Sequence, residues 1–225
     1  MLASTRQKRR KSFKTAIEQA IEQATPRNFL ESVEIQIKLR DIDLDQPENR
    51  FTTRVVLPHF VANKDNIGFF ASDAHLTTLE EIQEELEDEI TIISQTKLNR
   101  IRTNPRDIKK LASKIRIFLA SVSLMGDIGK YLGRYLSPRN KMPIPVAIDA
   151  DLKEAIERAK RTVQIRLRDN PTIYCKIGHE GMDTENLADN AFMLLQEIIE
   201  KTPKREGNIE EISFKTTMGP QIEVE

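Results

Sequence analysis

Metal ligands, nucleophiles and phosphate cradles are the residues that carry chemistry, and each demands its own spacing. One cysteine, Cys175, and three histidines, His59, His75 and His179, stand far apart in the chain. A zinc centre takes roughly three or four clustered ligands, so no metal is expected. Leu124-Met125-Gly126-Asp127-Ile128-Gly129-Lys130 follows an apolar run and has the flavour of a phosphate loop. That pattern requires glycine where Leu124 stands and Ser or Thr where Tyr131 stands. A helix start lying on a sheet accounts for the segment instead. Ser32, Ser72, Ser121 and Cys175 lack a nucleophile elbow such as G-x-S-x-G. Cys175 alternates with Ile173 and Ile177, as a small core residue does. No catalytic residue and no cofactor are expected, and the chain does not read as an enzyme.

The most unusual run is Lys215-Thr216-Thr217-Met218-Gly219-Pro220. A strand here leads into two hydroxyls, a flexible apolar side chain and a glycine. Hydroxyls can bond a ribose 2′-OH or a phosphate, glycine admits close backbone approach, and a methionine can cover a sugar or base. An ordinary strand end and turn would use the same residues, so chemistry alone leaves both readings open.

Composition narrows the class. The 225 residues are enough for two domains. Hydrophobic residues make up 39% and charged residues 31%, which implies real cores beneath a surface dense in charge. No apolar stretch reaches the ~18 residues of a membrane span, and Met1 to Lys14 lacks the apolar run of a signal peptide. A cytoplasmic protein with no membrane partner is expected. The net charge is zero, but the charges are not mixed evenly. Residues 6–14 hold six basic side chains and no acid, and residues 80–89 hold seven acids and no base. Screening confines each field to about 8 Å, so a basic patch survives a neutral sum. For either run alone, a solvated helix face is favoured by roughly two to one over a binding patch.

The elements that must position these residues follow from periodicity. Phe13, Ile17, Ala20, Ile21 and Ala24 share one helical face, ended by Pro26. Val33, Ile35, Ile37 and Leu39 alternate within Ser32–Arg40, a half-buried strand. Phe51–Leu57 is a second strand, expected antiparallel to the first. From about residue 64, short apolar strands at Ile67–Ala71, Ile90–Ile93 and Ile115–Ala120 alternate with helices at 77–89, Pro105–Ser113 and Asp127–Leu136, the last broken at Gly133. That rhythm predicts a parallel sheet covered on both sides. After a connecting helix over 151–160 the first rhythm returns. Val163–Leu167 and Ile173–Ile177 flank a short turn and predict a hairpin. Thr184–Lys201 is a helix, and Ile212–Thr216 a last strand. The expected fold class is α/β with two domains. An outer split antiparallel α+β domain, 1–64 and 156–225, is built from both termini. A Rossmann-like three-layer α/β domain, 65–155, is inserted in it, joined by two crossings that permit opening and closing.

Several segments, in order, resemble one family. Asn28-Phe29-Leu30-Glu31-Ser32-Val33-Glu34 is similar to its first-strand signature, and Leu57-Pro58-His59 to the end of its second strand. Phe118-Leu119-Ala120-Ser121 with Leu132-Gly133 resembles its middle domain, and Met142-Pro143 the end of its loop there. Ile177-Gly178-His179 and Leu187-Ala188-Asp189-Asn190-Ala191 resemble its late strand and helix. Thr216-Thr217-Met218-Gly219-Pro220 resembles its C-terminal signature. The family is the ribosomal L-one family, the protein of the large subunit's mobile stalk, in its archaeal form. The resemblance implies a structural constituent of the large ribosomal subunit, monomeric when free. It implies binding to large-subunit rRNA, help in releasing exit-site tRNA, and repression of translation through its own mRNA. By position, the RNA surface should take Phe29 and Ser32 from the first strand and Thr216, Thr217, Met218 and Gly219 from the last. The late hairpin should add Gln164, Arg166, Tyr174 and Lys176. Phe29 and Met218 are expected against ribose or base, Thr217 on a 2′-OH or backbone group, and Arg166 and Lys176 on phosphates. The chain departs from the pattern at Asn28, where bacterial members often have a basic residue, and at Phe60 and Ser137-Pro138-Arg139-Asn140-Lys141, where glycines are usual.

Overall fold

A computed structural model describes residues 2–61, 66–85 and 90–224. In chain order the elements are α1 (Leu2–Glu22), β1 (Ser32–Leu39), β2 (Phe51–Val56), β3 (Ile67–Ala71), α2 (Asp73–Glu85), β4 (Ile90–Ser94), α3 (Gln95–Ile101) and α4 (Pro105–Lys114). Then come β5 (Ile117–Ser121), α5 (Met125–Leu136), β6 (Ile144–Val146), α6 (Leu152–Arg161), β7 (Thr162–Leu167), β8 (Thr172–His179), α7 (Thr184–Lys201), β9 (Ile209–Thr216) and β10 (Ile222–Glu223). The chain divides into two compact units, residues 1–62 with 161–225 and residues 63–160. Leu86 and the acids Glu87, Asp88 and Glu89, read from sequence as helical, lie outside the described residues.

In the outer unit a four-stranded antiparallel sheet runs in the order β10-β9-β1-β8. The alternation of β1 sends Val33, Ile35, Ile37 and Leu39 into the core and leaves Ser32, Glu34, Gln36 and Lys38 on the other face. Side chains two apart share a sheet face, so one face is apolar and needs covering. Helices α1 and α7 supply the cover, through Phe13, Ile17 and Ala20 on one and Leu187, Ala191, Leu194, Leu195 and Ile198 on the other. Phe13 meets Phe214 of β9 edge to face, with ring centres 5.3 Å apart. The two helices are also laced by ion pairs, Arg10–Asp189 at 3.1 Å and Lys14–Glu185 at 2.7 Å.

Two expected pairings are corrected. β2 does not pair with β1, because β8 and β9 occupy both edges of β1; β2 pairs with β7 in a separate antiparallel ladder, Phe51 opposite Leu167 and Val56 opposite Thr162. Nor do β7 and β8 form a hairpin: β8 pairs with β1, and β7 with β2. The turn between them carries the chain from one sheet to the other, and Pro171 contributes its carbonyl to the Leu39 N–H at 2.7 Å. Neighbouring strands usually pair, but here long-range partners hold the edges.

The inner unit is a three-layer α/β sandwich. Its parallel sheet has the order β4-β3-β5-β6. All five residues of the central strand β3 are buried, as a strand covered on both faces must be. One side is packed by α3, α4 and α5 through Leu98, Ile108, Ala112, Ile128 and Leu132. The other is packed by α2 and α6 through Leu79, Ile82, Leu152, Ile156 and Ala159. Helix α5 runs through Gly133 unbroken, since an added Cβ there would meet nothing and the backbone is ordinary helix. The Gly126–Lys130 stretch opens this helix, as the helix-start reading expects.

Candidate nucleic-acid interface

The antiparallel pairing brings three distant segments to one end of the four-stranded sheet. Ser32 at the start of β1 sits opposite His179 at the end of β8, and Val33 sits opposite Thr216 at the end of β9. The chain leaving β9 stays beside β1, because Ser32 O accepts the Thr217 N–H at 3.0 Å and its hydroxyl at 3.3 Å. On the β8 side, Glu180 N–H donates to Glu31 O at 3.0 Å and Glu31 N–H donates to the Glu180 carboxylate at 3.1 Å.

Glu31 organises this end. Its side chain is only 2% exposed, and a buried carboxylate must be paired or hydrogen-bonded. Oε2 accepts the Met218 N–H at 3.0 Å, and the Arg27 guanidinium lies 2.9 Å from Oε1. The Met218 N–H bond, followed by the Thr216 hydroxyl, holds the Glu31 carboxyl below the usual glutamate range, against the opposing effect of desolvation. Thr216 in turn accepts the Gly219 N–H at 3.0 Å. A relay therefore runs from the Gly219 amide through the Thr216 hydroxyl to the Glu31 carboxylate. Gly219 owes its identity to this closeness: an added Cβ would lie 2.3 Å from Thr216 Oγ1 and 3.4 Å from Ala24 Cβ.

Above this polar frame, apolar side chains stand in solvent. Phe29 is 57% exposed, Leu30 56% and Met218 61%. Folding ordinarily hides such groups, and a cluster of them on polar, hydrogen-bonded backbone marks a contact surface. Beside them, His179 Nδ1 accepts the Gly181 N–H at 3.2 Å, which fixes the proton of the neutral ring on Nε2. Burial, and then the nearby Lys176, push the His179 pKa down and keep the ring neutral.

The ten sequence-derived residues divide by where the fold sets them. Phe29, Ser32, Thr217, Met218 and Gly219 come together at the strand ends. Tyr174, 60% exposed, and Lys176 lie on the open face of the same sheet, opposite Gln36 and Glu34. Thr216, expected as a contact, is fully buried opposite Val33 on the inner side of β9, where its hydroxyl positions the loop. Gln164 and Arg166 stand on β7, opposite Arg54 and Thr52, in the other sheet. Arg166 also lies 3.9 Å from Asp169. The sequence reading overlooked Arg27, Leu30, Glu31, Glu180 and Gly181. Glu31 had a signal: it is in phase with Val33, Ile35 and Ile37, a charge on the buried side of an alternating strand.

Among the described residues no group of His, Cys, Asp or Glu is arranged to hold a metal. In the inner unit, Ser121 Oγ bonds His75 Nδ1 at 2.8 Å and accepts the Ser72 N–H at 3.0 Å. The other ring nitrogen of His75 lies 3.1 Å from Ile148 O. Ser121 is fully buried and His75 nearly so, and this serine–histidine pair ties strand ends to a loop.

Comparison with known proteins gives the family. The family model described as "Ribosomal protein L1p/L10e family" matches residues 19–220. The chain is 41% identical, over 96% of its length and 98% of the relative's, to "Large ribosomal subunit protein uL1" of Thermococcus kodakarensis. It is 42% identical to the protein of that name from Pyrococcus horikoshii, over 96% of each chain. It is 36% identical to that of Haloquadratum walsbyi, over 93% of this chain and 96% of the relative. A match that spans both units and every segment of the strand-end site, with archaeal relatives along nearly the whole length, means that the chain belongs to the ribosomal protein L1p/L10e family.

Proposed function

We propose that this protein is a constituent of the large ribosomal subunit in the cytoplasm and binds large-subunit rRNA through the strand-end surface of the outer unit. The carrying observation is the Glu31-centred frame, which holds exposed Phe29 and Met218 beside the Thr217 hydroxyl and open backbone. Single-stranded or looped RNA is recognised by such means, with apolar side chains against bases or riboses and hydroxyls on 2′-OH groups. Tyr174 and Lys176 extend the surface along the open face, and Arg166 and Gln164 on β7 are read as peripheral phosphate or backbone contacts. The names of the archaeal relatives, which assign those proteins to the large subunit, support the ribosomal setting.

The finer reading is that the bound rRNA belongs to the mobile stalk and that the protein aids release of exit-site tRNA. It also represses translation by binding a similar structure in its own mRNA. The protein acts by binding and positioning, without catalysis. The test is filter binding to the stalk stem-loop and to the leader of the protein's own mRNA. Tight binding to both, lost together on Met218→Ala, is the expected result. Binding no tighter than to an unrelated stem-loop of equal length would sink the proposal.

A further inference from the structure

The protein is neutral overall, yet one layer of its inner unit is strongly basic. From Lys97 to Lys141 the chain holds twelve lysines and arginines against two acids, Asp107 and Asp127. These residues belong largely to α3, α4, α5 and the turn after α5, which pack on a single side of the parallel sheet. On the other side, α2 carries five acids and no lysine or arginine, and α6 adds two acids and four bases, so that layer is acidic on balance. The unit is thus polarised across its sheet.

Part of this charge serves the fold, since Arg116 donates to Ala159 O and Lys160 O, Arg139 to Lys109 O, and Lys141 to Ala112 O and Ile115 O; five other bases are placed for contact. Arg106, Lys109 and Lys110 of α4 and Lys130 and Arg134 of α5 are all exposed, and none forms an ion pair among the described residues. Arg106 and Lys110 are four apart on one helix, as are Lys130 and Arg134 on the next. Like charges at that spacing destabilise a helix, so the pattern needs a reason outside the fold. Tyr131 lies between two cations, with Arg102 5.1 Å and Lys130 5.3 Å from its ring centre.

We propose that the α3–α4–α5 layer of the inner unit is a second RNA-contacting surface, which holds a sugar–phosphate backbone without reading its sequence. A phosphodiester chain presents closely spaced negative charges, and long flexible cations neutralise them with release of counterions. An acidic protein fits less well. Protein interfaces centre on apolar anchors, and none of the large exposed hydrophobic residues lies on these helices. This surface adds to the strand-end site and carries no sequence preference, so the two can be tested apart.

The experiment measures binding of the full-length protein to an RNA hairpin of arbitrary sequence over a series of salt concentrations. The triple variant Arg106→Gln/Lys109→Gln/Lys130→Gln should lower the log–log salt slope by about two to three, near one per lost phosphate contact. The α6 triple Lys153→Gln/Arg158→Gln/Lys160→Gln removes the same charge from the opposite layer and should change the slope by less than about one. The charge-keeping triple Arg106→Lys/Lys109→Arg/Lys130→Arg should restore the slope, which separates lost contact from lost fold. Equal slopes for the two glutamine triples would overturn the proposal. So would an unchanged slope accompanied by lost binding to polyglutamate, which would point to an acidic protein partner.

Discussion

The Glu31 carboxylate accepts the backbone N–H of Met218 at 3.0 Å, across 187 residues of chain. This bond lets a buried acid set the position of an exposed methionine. It separates the residues that would touch RNA from those that place them, and the two groups should respond differently to substitution.

Met218→Ala and Thr217→Ala remove exposed groups and should each weaken rRNA binding by about 1–3 kcal/mol. Thermal unfolding should be unchanged, because neither side chain is buried. Filter binding beside calorimetry checks both halves. Loss of affinity with an equal loss of stability would return Met218 to a structural role.

Glu31→Gln should weaken RNA binding on the order of tenfold, the scale of one lost specific contact, although Glu31 itself touches no RNA. It should also change the acid limb of stability. The folded-state pKa of Glu31 lies below its unfolded value, so its contribution is complete above the usual glutamate range. It is lost as pH falls through the depressed folded value. Urea unfolding from neutral to acid pH should therefore be flatter for the glutamine variant than for the natural protein. Parallel curves would mean that the Met218 and Thr216 hydrogen bonds do not favour the charged form.

Gly219→Ala should destabilise the outer unit by about 1–3 kcal/mol, the usual scale of overpacking, and weaken RNA binding as well. The added methyl group would collide with Thr216 Oγ1. The double variant Thr216→Ala/Gly219→Ala removes the collision but also the bonds of the Thr216 hydroxyl, so it should regain only part of the stability and none of the affinity. If the single variant binds and melts like the natural protein, the close approach is not a constraint.

Asn190 is fully buried in α7 and joins two strands' surroundings: its side-chain oxygen accepts the His59 N–H at 3.0 Å and its amide donates to Ile177 O at 2.8 Å. Asn190→Ala strands both backbone groups and should cost about 1–3 kcal/mol. Denaturant midpoints at constant slope would measure it.

Excising the inner unit should leave a folded, RNA-binding outer unit. The Leu57 N–H donates to Arg161 O at 2.9 Å, and Val56 pairs with Thr162, so the cut ends are adjacent and a short linker can close them. Circular dichroism and filter binding on the shortened protein check this. An unfolded product would mean that the outer core depends on the inserted residues.

What was legible in the sequence follows from how local each signal is. Helix α7 was readable to its ends, because Asp183 caps its first turn and five core positions repeat at helical spacing. The burial pattern of β1 was readable because alternation is local. The partners of β2 and β7 were not, since nothing within ten residues says that both edges of β1 are taken by strands far along the chain. Short α3 and β6 were missed for want of a repeat long enough to see. At the site, Phe29 came from the resemblance, whereas the run holding Thr217 and Met218 stood out by its chemistry and took its roles from the resemblance. The burial of Thr216 was not legible, because motif position does not say which way a strand residue points. Glu31 could have been found from its phase alone.

The long sequence separation of the pairs that close the outer sheet also sets an order of events during synthesis. β1 emerges early with both hydrogen-bonding edges bare and waits for β8 and β9, which follow the whole inserted unit. The inserted unit pairs only its own strands and can close first. A growing chain must keep an exposed strand edge from joining its neighbours, and a product truncated before Thr216 would lack the loop that completes the contact surface. Affinity for RNA then reports that translation of the chain has run past that loop.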